Sequence, residues 1–218
     1  MTDPDSKLLK KDIFGEVSLR HDEAGLRVVR DASRARPWAR WLARRLLARE
    51  ARALAATDGI AGIPDVLHVD ADTLQRSWID GEPMQKARPT DVGYFVAAAR
   101  ILRRLHRQGL VHNDLAKEPN WLVTEIGQPG IVDFQLAWHS PKRGRLFRLL
   151  AREDLRHLLK HKRTYCPNHL TRRERAILAS PAAPSRVWMS GGKPVYHFVT
   201  RKILGWADRE GANDRTGY

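Results

Sequence analysis

The stretch HNDLAKEPNWLVTEIGQPGIVDFQLAW, residues 112–138, constrains this chain more than any other. Two short apolar runs, WLV and IVDF, flank EIGQPG, whose glycines and proline mark a turn. They predict a hairpin. Asp114 stands ahead of it and Asp133 near the end of its second strand, so folding brings two carboxylates toward one end of a small sheet. His112, Asn113, Lys117 and Asn120 lie in the same stretch. The Asp of IVDF alone would be a turn cap, and a lone H-x-D occurs by chance. Together with the downstream Asn they suit one small, highly charged ligand.

The rest of the chain bounds that reading. Its 218 residues allow one domain of two lobes or two small domains. The formal net charge of +14 favours anionic partners: nucleic acid, nucleotide phosphates or an acidic membrane surface. A single cysteine, Cys166, rules out an intrachain disulfide and a cysteine-rich zinc site. It is expected to be a small core or surface residue. The start, MTDPDSKLLKKDIF, has no long apolar run, and no stretch approaches the roughly 20 apolar residues of a membrane span. A cytoplasmic protein is expected, with peripheral attachment to the inner membrane face left open.

Residues 12–30 suggest two or three strands turning at DEAG, and 37–56 a helix begun by Pro37. Leu42, Leu46, Glu50 and Leu54, four apart, share one helix face. Glu50 is the helix's only acid, and a carboxylate facing a core is costly unless paired. It either bonds an arginine of its own helix or reaches a cation on a neighbouring strand. Residues 63–84 predict further strands and the turn DGEP. A second helix runs from a Thr90 cap to Gly109, with Val92, Phe95, Val96, Ala99, Leu102 and Leu105 as its apolar face. From Pro141 the chain is helical and basic: residues 141–175 hold twelve Lys/Arg against three acids. That run is either a solvated face or a docking surface for an anionic membrane, centred on Arg152, Arg156 and Lys160. A glycine-rich polar tail, GWADREGANDRTGY, closes the chain.

Strands, a helix with one inward acid, strands, a turn, a helix, then H-x-D and a hairpin ending in IVDF: this order resembles the protein kinase-like fold. Within that superfamily it is most similar to the atypical RIO-like kinases and the bacterial lipopolysaccharide-core (Kdo/heptose) kinases. The resemblance covers about residues 12–160 and is most specific in the catalytic stretch. It implies an α+β, two-lobed fold without an activation segment. Residues 1–82 would form a small β-rich lobe with one helix, and residues 83–218 a mainly helical lobe. It implies a phosphotransferase using ATP and magnesium, with a protein Ser/Thr or a core glycolipid hydroxyl as acceptor.

Residue roles follow from the same resemblance. Asp114 would receive the acceptor proton, Lys117 would stabilise the transferred phosphoryl group and His112 would hold the loop. Asn120 and Asp133 would bind magnesium. Arg30 would contact phosphate and pair with Glu50, and Trp78 and Ile79 of SWIDGEP would meet the adenine. The chemistry accords with these residue types, because phosphoryl transfer is mostly positioning and charge neutralisation. Magnesium takes one or two carboxylates and keeps several waters. The departures are Arg30 in place of the family's strand lysine, Gly15 alone where a glycine-rich loop is usual, and DFQ for DFG. Asn120 lies six residues after Asp114 rather than five, which leaves Asn113 as an alternative metal ligand. Lipopolysaccharide-core kinases can carry an arginine in that place, and an arginine can clamp phosphate as a fork.

Three other readings compete. A weak or inactive kinase fold would serve as a nucleotide- or anion-binding module. A metal hydrolase built on His106, His112 and Asp114 lacks a third ligand of convincing spacing. A nucleic-acid-binding module would explain the charge but not residues 112–138, so nucleic acid is not the expected partner.

Overall fold

The computed structural model describes residues 6–23, 25–57 and 59–180 of the chain. The glycine-rich tail lies outside them. The first 77 residues supply a five-stranded antiparallel sheet and one long helix. Strands β1 (Ser6–Asp12), β2 (Gly15–Asp22) and β3 (Gly25–Asp31) are followed by helix α1 (Arg40–Ala55), then β4 (Val66–Val69) and β5 (Thr73–Ser77). The sheet order is β1-β2-β3-β5-β4. Strand β1 starts well before the block of strands expected at 12–30. Its sequence, SKLLKKD, lacks a clean alternation, and it is a strand because it pairs with β2 from Ser6↔Arg20 to Asp12↔Gly15. Its lysines suit a sheet edge, where charge blunts pairing with other chains. At the β1–β2 turn Asp12 Oδ1 accepts the Phe14 N–H (2.8 Å), and Gly15 adopts φ +124°, with Asp31 O where a side chain would stand.

A short 3₁₀ turn, Pro37–Ala39, leads into α1. The helix buries Ala43, Leu47, Glu50, Ala51, Ala53 and Leu54. The inward row thus contains Leu47, while Leu42 and Leu46 are only half-buried. Packing sets this rotation: α1 lies against the turn Phe134–Leu136, which the helix period alone could not reveal.

Next come β6 (Glu82–Pro83), the single turn α2 (Met84–Ala87) and helix α3 (Val92–Arg107). The cap of α3 is Asp91, not Thr90: Asp91 Oδ1 accepts the Gly93 N–H at 2.9 Å. Its buried face is Tyr94, Phe95, Ala98, Ile101, Leu102 and Leu105, and Val96 is exposed. Tyr94 draws the face round, because its hydroxyl donates to Leu122 O (3.1 Å) inside the core. Gly109 ends the segment at φ +78°.

After α3 stand β7 (Leu110–Val111), β8 (Trp121–Val123), β9 (Pro129–Ile131) and β10 (Trp138–His139). Helices α4 (Arg145–Tyr165) and α5 (Arg172–Ala179) complete the described chain. Strands β8 and β9 form the expected hairpin, with β6 on the outer edge of β8, and β7 pairs with β10. The fold is α+β. One apolar cluster runs from Ala32 and Leu47 through Leu74 and Leu102 to Phe134 and Leu158, so the core is continuous across residue 82. Cys166 belongs to it and directs its thiol at Thr90 O (3.0 Å).

The basic run is not one continuous solvated face. Lys162 is buried with its Nζ 2.8 Å from Glu174, and Arg156, whose side chain is 11% exposed, lies 3.3 Å from Glu153. Among the described residues no helix is long and apolar enough to cross a membrane.

Candidate active site

The hairpin brings Asn120 and Asp133 together. The pair Trp121↔Ile131 is flanked by a bond from the Val132 N–H to Asn120 O (3.0 Å), so Asn120 and Asp133 leave the sheet at the same end. Asp133 then turns the chain at φ +66°. Phe134 drops into the core, its ring 4.6 Å from that of His112.

His112 is a structural post. Its Nδ1 accepts the Asp114 N–H at 3.3 Å, and its Nε2 stands 3.1 Å from Val132 O. These partners require the neutral ring with its proton on Nε2, donating to Val132 O. One imidazole therefore ties the loop of Asp114 to the strand end of Asp133. Asp114 is the point of convergence. Asn120 Nδ2 donates to Asp114 O (2.9 Å) and Asp114 Oδ2 (3.2 Å), and Lys117 Nζ lies 3.0 Å from Asp114 Oδ2. Asn113, at φ +66°, points elsewhere and donates from Nδ2 to Leu136 O (3.0 Å).

Asp154 went unnoticed in the sequence. It is 1% exposed on α4 and receives two consecutive loop amides, His112 N–H at Oδ2 (2.8 Å) and Asn113 N–H at Oδ1 (3.0 Å). His106 Nε2 is 3.3 Å from the same Oδ2. Charge-assisted bonds of this kind are about twice as strong as neutral ones. Further along, the Leu115 carbonyl is bonded by Trp121 Nε1–H (3.1 Å) and lies 2.9 Å from His161 Nε2. The loop is thus fixed from behind, with Lys117 exposed and the Asp114 side chain partly covered beneath it.

A second cluster flanks Asp133. Glu50, 1% exposed, lies between two guanidinium groups: Arg30 Nε is 3.4 Å from Oε2 and Arg76 Nε is 3.5 Å from Oε1. Neither carboxylate oxygen has a hydrogen-bond partner, so charge rather than directed bonding holds it. The strand register explains the geometry. Arg30 opposes Leu74 and Val28 opposes Arg76, which puts both arginines on the sheet face that α1 covers. Burial pushes the Arg76 pKa down, and the Glu50 charge opposes this; Arg30 adds to the lowering and Asp133 opposes it. Arg76, absent from the sequence reading, carries a legible signal: it stands two residues after the fully buried Leu74.

Trp78 and Ile79 are half-buried. The Trp78 N–H donates to Leu26 O (3.3 Å), and Ile79 packs beside Gly130, so the segment is pinned between β3 and the hairpin.

The donor set fits magnesium. Asp133 Oδ1 is buried without a hydrogen-bond partner, and Asn120 leaves the same end of the hairpin, its carbonyl bonded by the Val132 N–H next to Asp133. Among the described residues no group of three or more His, Cys, Asp or Glu could form a metal cage. One carboxylate and one amide would suit a cation that keeps most of its waters. His112 has both ring nitrogens engaged, which removes it as a hydrolase ligand. No protein-family model matches the chain, and no curated protein matches it either.

Proposed function

We propose that this chain is an ATP- and magnesium-dependent phosphotransferase of the protein kinase-like type. The observation that carries the reading is the convergence of Lys117 and Asn120 on Asp114, in a loop that His112 ties to the strand end where Asp133 keeps a buried, unpartnered oxygen. Residues 1–82 would act as the small lobe and 83–218 as the large one. Asp114 would accept the proton of the acceptor hydroxyl, with the Asn120 amide fixing its rotamer. Lys117, half-exposed at the rim, would move from Asp114 to the phosphoryl group in transit. Asp133 and Asn120 would hold magnesium, which neutralises the nucleotide phosphates when bound. Arg30 and Arg76, oriented by Glu50, would supply fixed positive charge to those phosphates. Trp78 and Ile79 would border the adenine. The acceptor would be a protein Ser/Thr or a core glycolipid hydroxyl.

The second reading is a catalytically weak nucleotide-binding module. It is favoured by Glu50 being shared between two arginines, with arginine rather than lysine at position 30 of β3. Both readings require magnesium to tighten ATP binding through Asp133. Calorimetric titration of ATP with and without magnesium is the test: the parent should gain affinity with the metal, and Asp133→Asn should not. Equal affinity for the parent in both conditions would overturn the metal site and both readings.

A further inference from the structure

Helix α1 turns Leu47, Glu50 and Leu54 inward, and its outer side carries the largest exposed aromatic groups of the described chain. Trp38, in the turn before the helix, and Trp41, in its first turn, are 56% and 61% exposed. Two exposed indoles three residues apart at the start of a helix suit a contact surface better than they suit solvent. Trp41, Arg45 and Arg52 follow one another at helical spacing on that side.

The charge there is one-signed. Residues 34–56 hold seven arginines, and their only acid, Glu50, is buried against the sheet. Arg44 is neutralised by Asp72 at 2.7 Å, and Arg34 stands 3.8 Å from Asp31. Arg36, Arg45 and Arg52 are exposed and have no carboxylate partner among the described residues. Next to the indoles, Leu42, Leu46, Arg45, Arg49 and Arg52 face Trp138 and His139 across a groove of about 520 Å³. Arg49 closes its floor by donating from Nε to Ala137 O (2.6 Å) and from Nη2 to Leu136 O (3.1 Å).

We infer that this face docks on an anionic phospholipid bilayer, with Trp38 and Trp41 in the headgroup layer and a lipid phosphate held between Arg45, Arg49 and Arg52. The combination fits that partner. Indoles place an apolar ring and a polar N–H at a membrane surface, and arginines bind its phosphates while their stems stay apolar. A nucleic-acid backbone would use the arginines and stack on the indoles, but it would gain nothing from Leu42 and Leu46. The inference is independent of phosphoryl transfer, and it places docking on α1 rather than on α4 and α5.

Co-sedimentation of the full chain with phosphatidylglycerol-containing vesicles tests it, with pure phosphatidylcholine vesicles as the neutral control. The parent should bind the anionic vesicles alone, with a blue shift of tryptophan emission. Trp38→Ala/Trp41→Ala should weaken binding at least about tenfold and lose most of the shift. Arg45→Gln/Arg52→Gln should weaken it about 25-fold at low salt, at about fivefold per cation, and far less at high salt. All four side chains are exposed, so thermal melting should stay at the parent's value. Arg172→Gln/Arg173→Gln on α5, with the same charge change, should bind like the parent. The inference fails if the parent does not sediment, if the tryptophan pair binds like the parent, or if the α5 pair loses as much as the α1 pair. Loss of single-stranded oligonucleotide binding in both α1 variants, with vesicle binding intact, would assign the face to nucleic acid and also overturn it.

Discussion

Asp154→Asn isolates the support behind the candidate catalytic loop without touching the loop itself. The substitution keeps size and shape but removes the charge that three donors share. An asparagine can keep its oxygen toward the His112 N–H and His106. Its amide nitrogen then faces the Asn113 N–H, which lay 3.0 Å from Oδ1, donor against donor. One charge-assisted bond is lost, at roughly 1.5–3 kcal/mol, and a partly buried N–H is left unsatisfied, at roughly 1 kcal/mol more. The variant should therefore be about 3 kcal/mol less stable. For a chain of this size that corresponds to a fall in Tm of about 6–12 °C. Total stabilities of about 5–15 kcal/mol leave it folded at room temperature. Urea unfolding at neutral pH measures the difference, and an unchanged slope would show that the unfolded state is not responsible. A loss below about 0.5 kcal/mol would refute the view that this carboxylate anchors the loop.

Glu50→Gln should cost about 3 kcal/mol, because it leaves Arg30 and Arg76, both largely covered, facing each other without their counter-charge. Adding Arg76→Met should recover part of that loss, and strict additivity in the urea-unfolding cycle would mean the two side chains do not interact. His157 gives a pH signature. Burial, aided by the Lys160 charge and opposed by Asp154 and Glu153, lowers its pKa from 6.5 to about 4. The unfolded chain takes up that proton below about pH 6.5 and the folded chain only near 4, so stability should fall as pH drops through this window, by about 2 kcal/mol between pH 7 and 5. In the same urea experiment His157→Gln should show a shallower decline, and parallel pH curves would reject the assignment.

The parts of the molecule with a clear period were legible. WLV and the turn signal after it gave the β8–β9 hairpin, but the second strand is Pro129–Ile131 rather than IVDF: Pro129 and Gly130 of the expected turn pair with β8, and Val132, Asp133 and Phe134 lie beyond the strand. Glu50 was visible as an acid in an apolar row, because helix geometry forces that side chain inward. Rotations of a face by one residue were not legible, since they depend on what packs there. Leu47 replaces Leu46 because α1 lies on the turn Phe134–Leu136, and Tyr94 enters the core because Leu122 O accepts its hydroxyl. Arg76 could have been read from its place two residues after Leu74. Asp154 could not: within RLFRLLAREDLRHLL it looks like one more surface charge, and only a loop 42 residues earlier in the chain gives it partners.

The most direct test of the proposed activity is transfer of labelled γ-phosphate from ATP to protein or to extracted glycolipid, by the parent and by Asp114→Asn side by side. The account predicts magnesium-dependent transfer by the parent and a loss of about 10²–10⁴-fold in the variant, with ATP affinity retained. Equal transfer by the two, or a parent that binds magnesium and ATP yet transfers nothing to either acceptor, would contradict it.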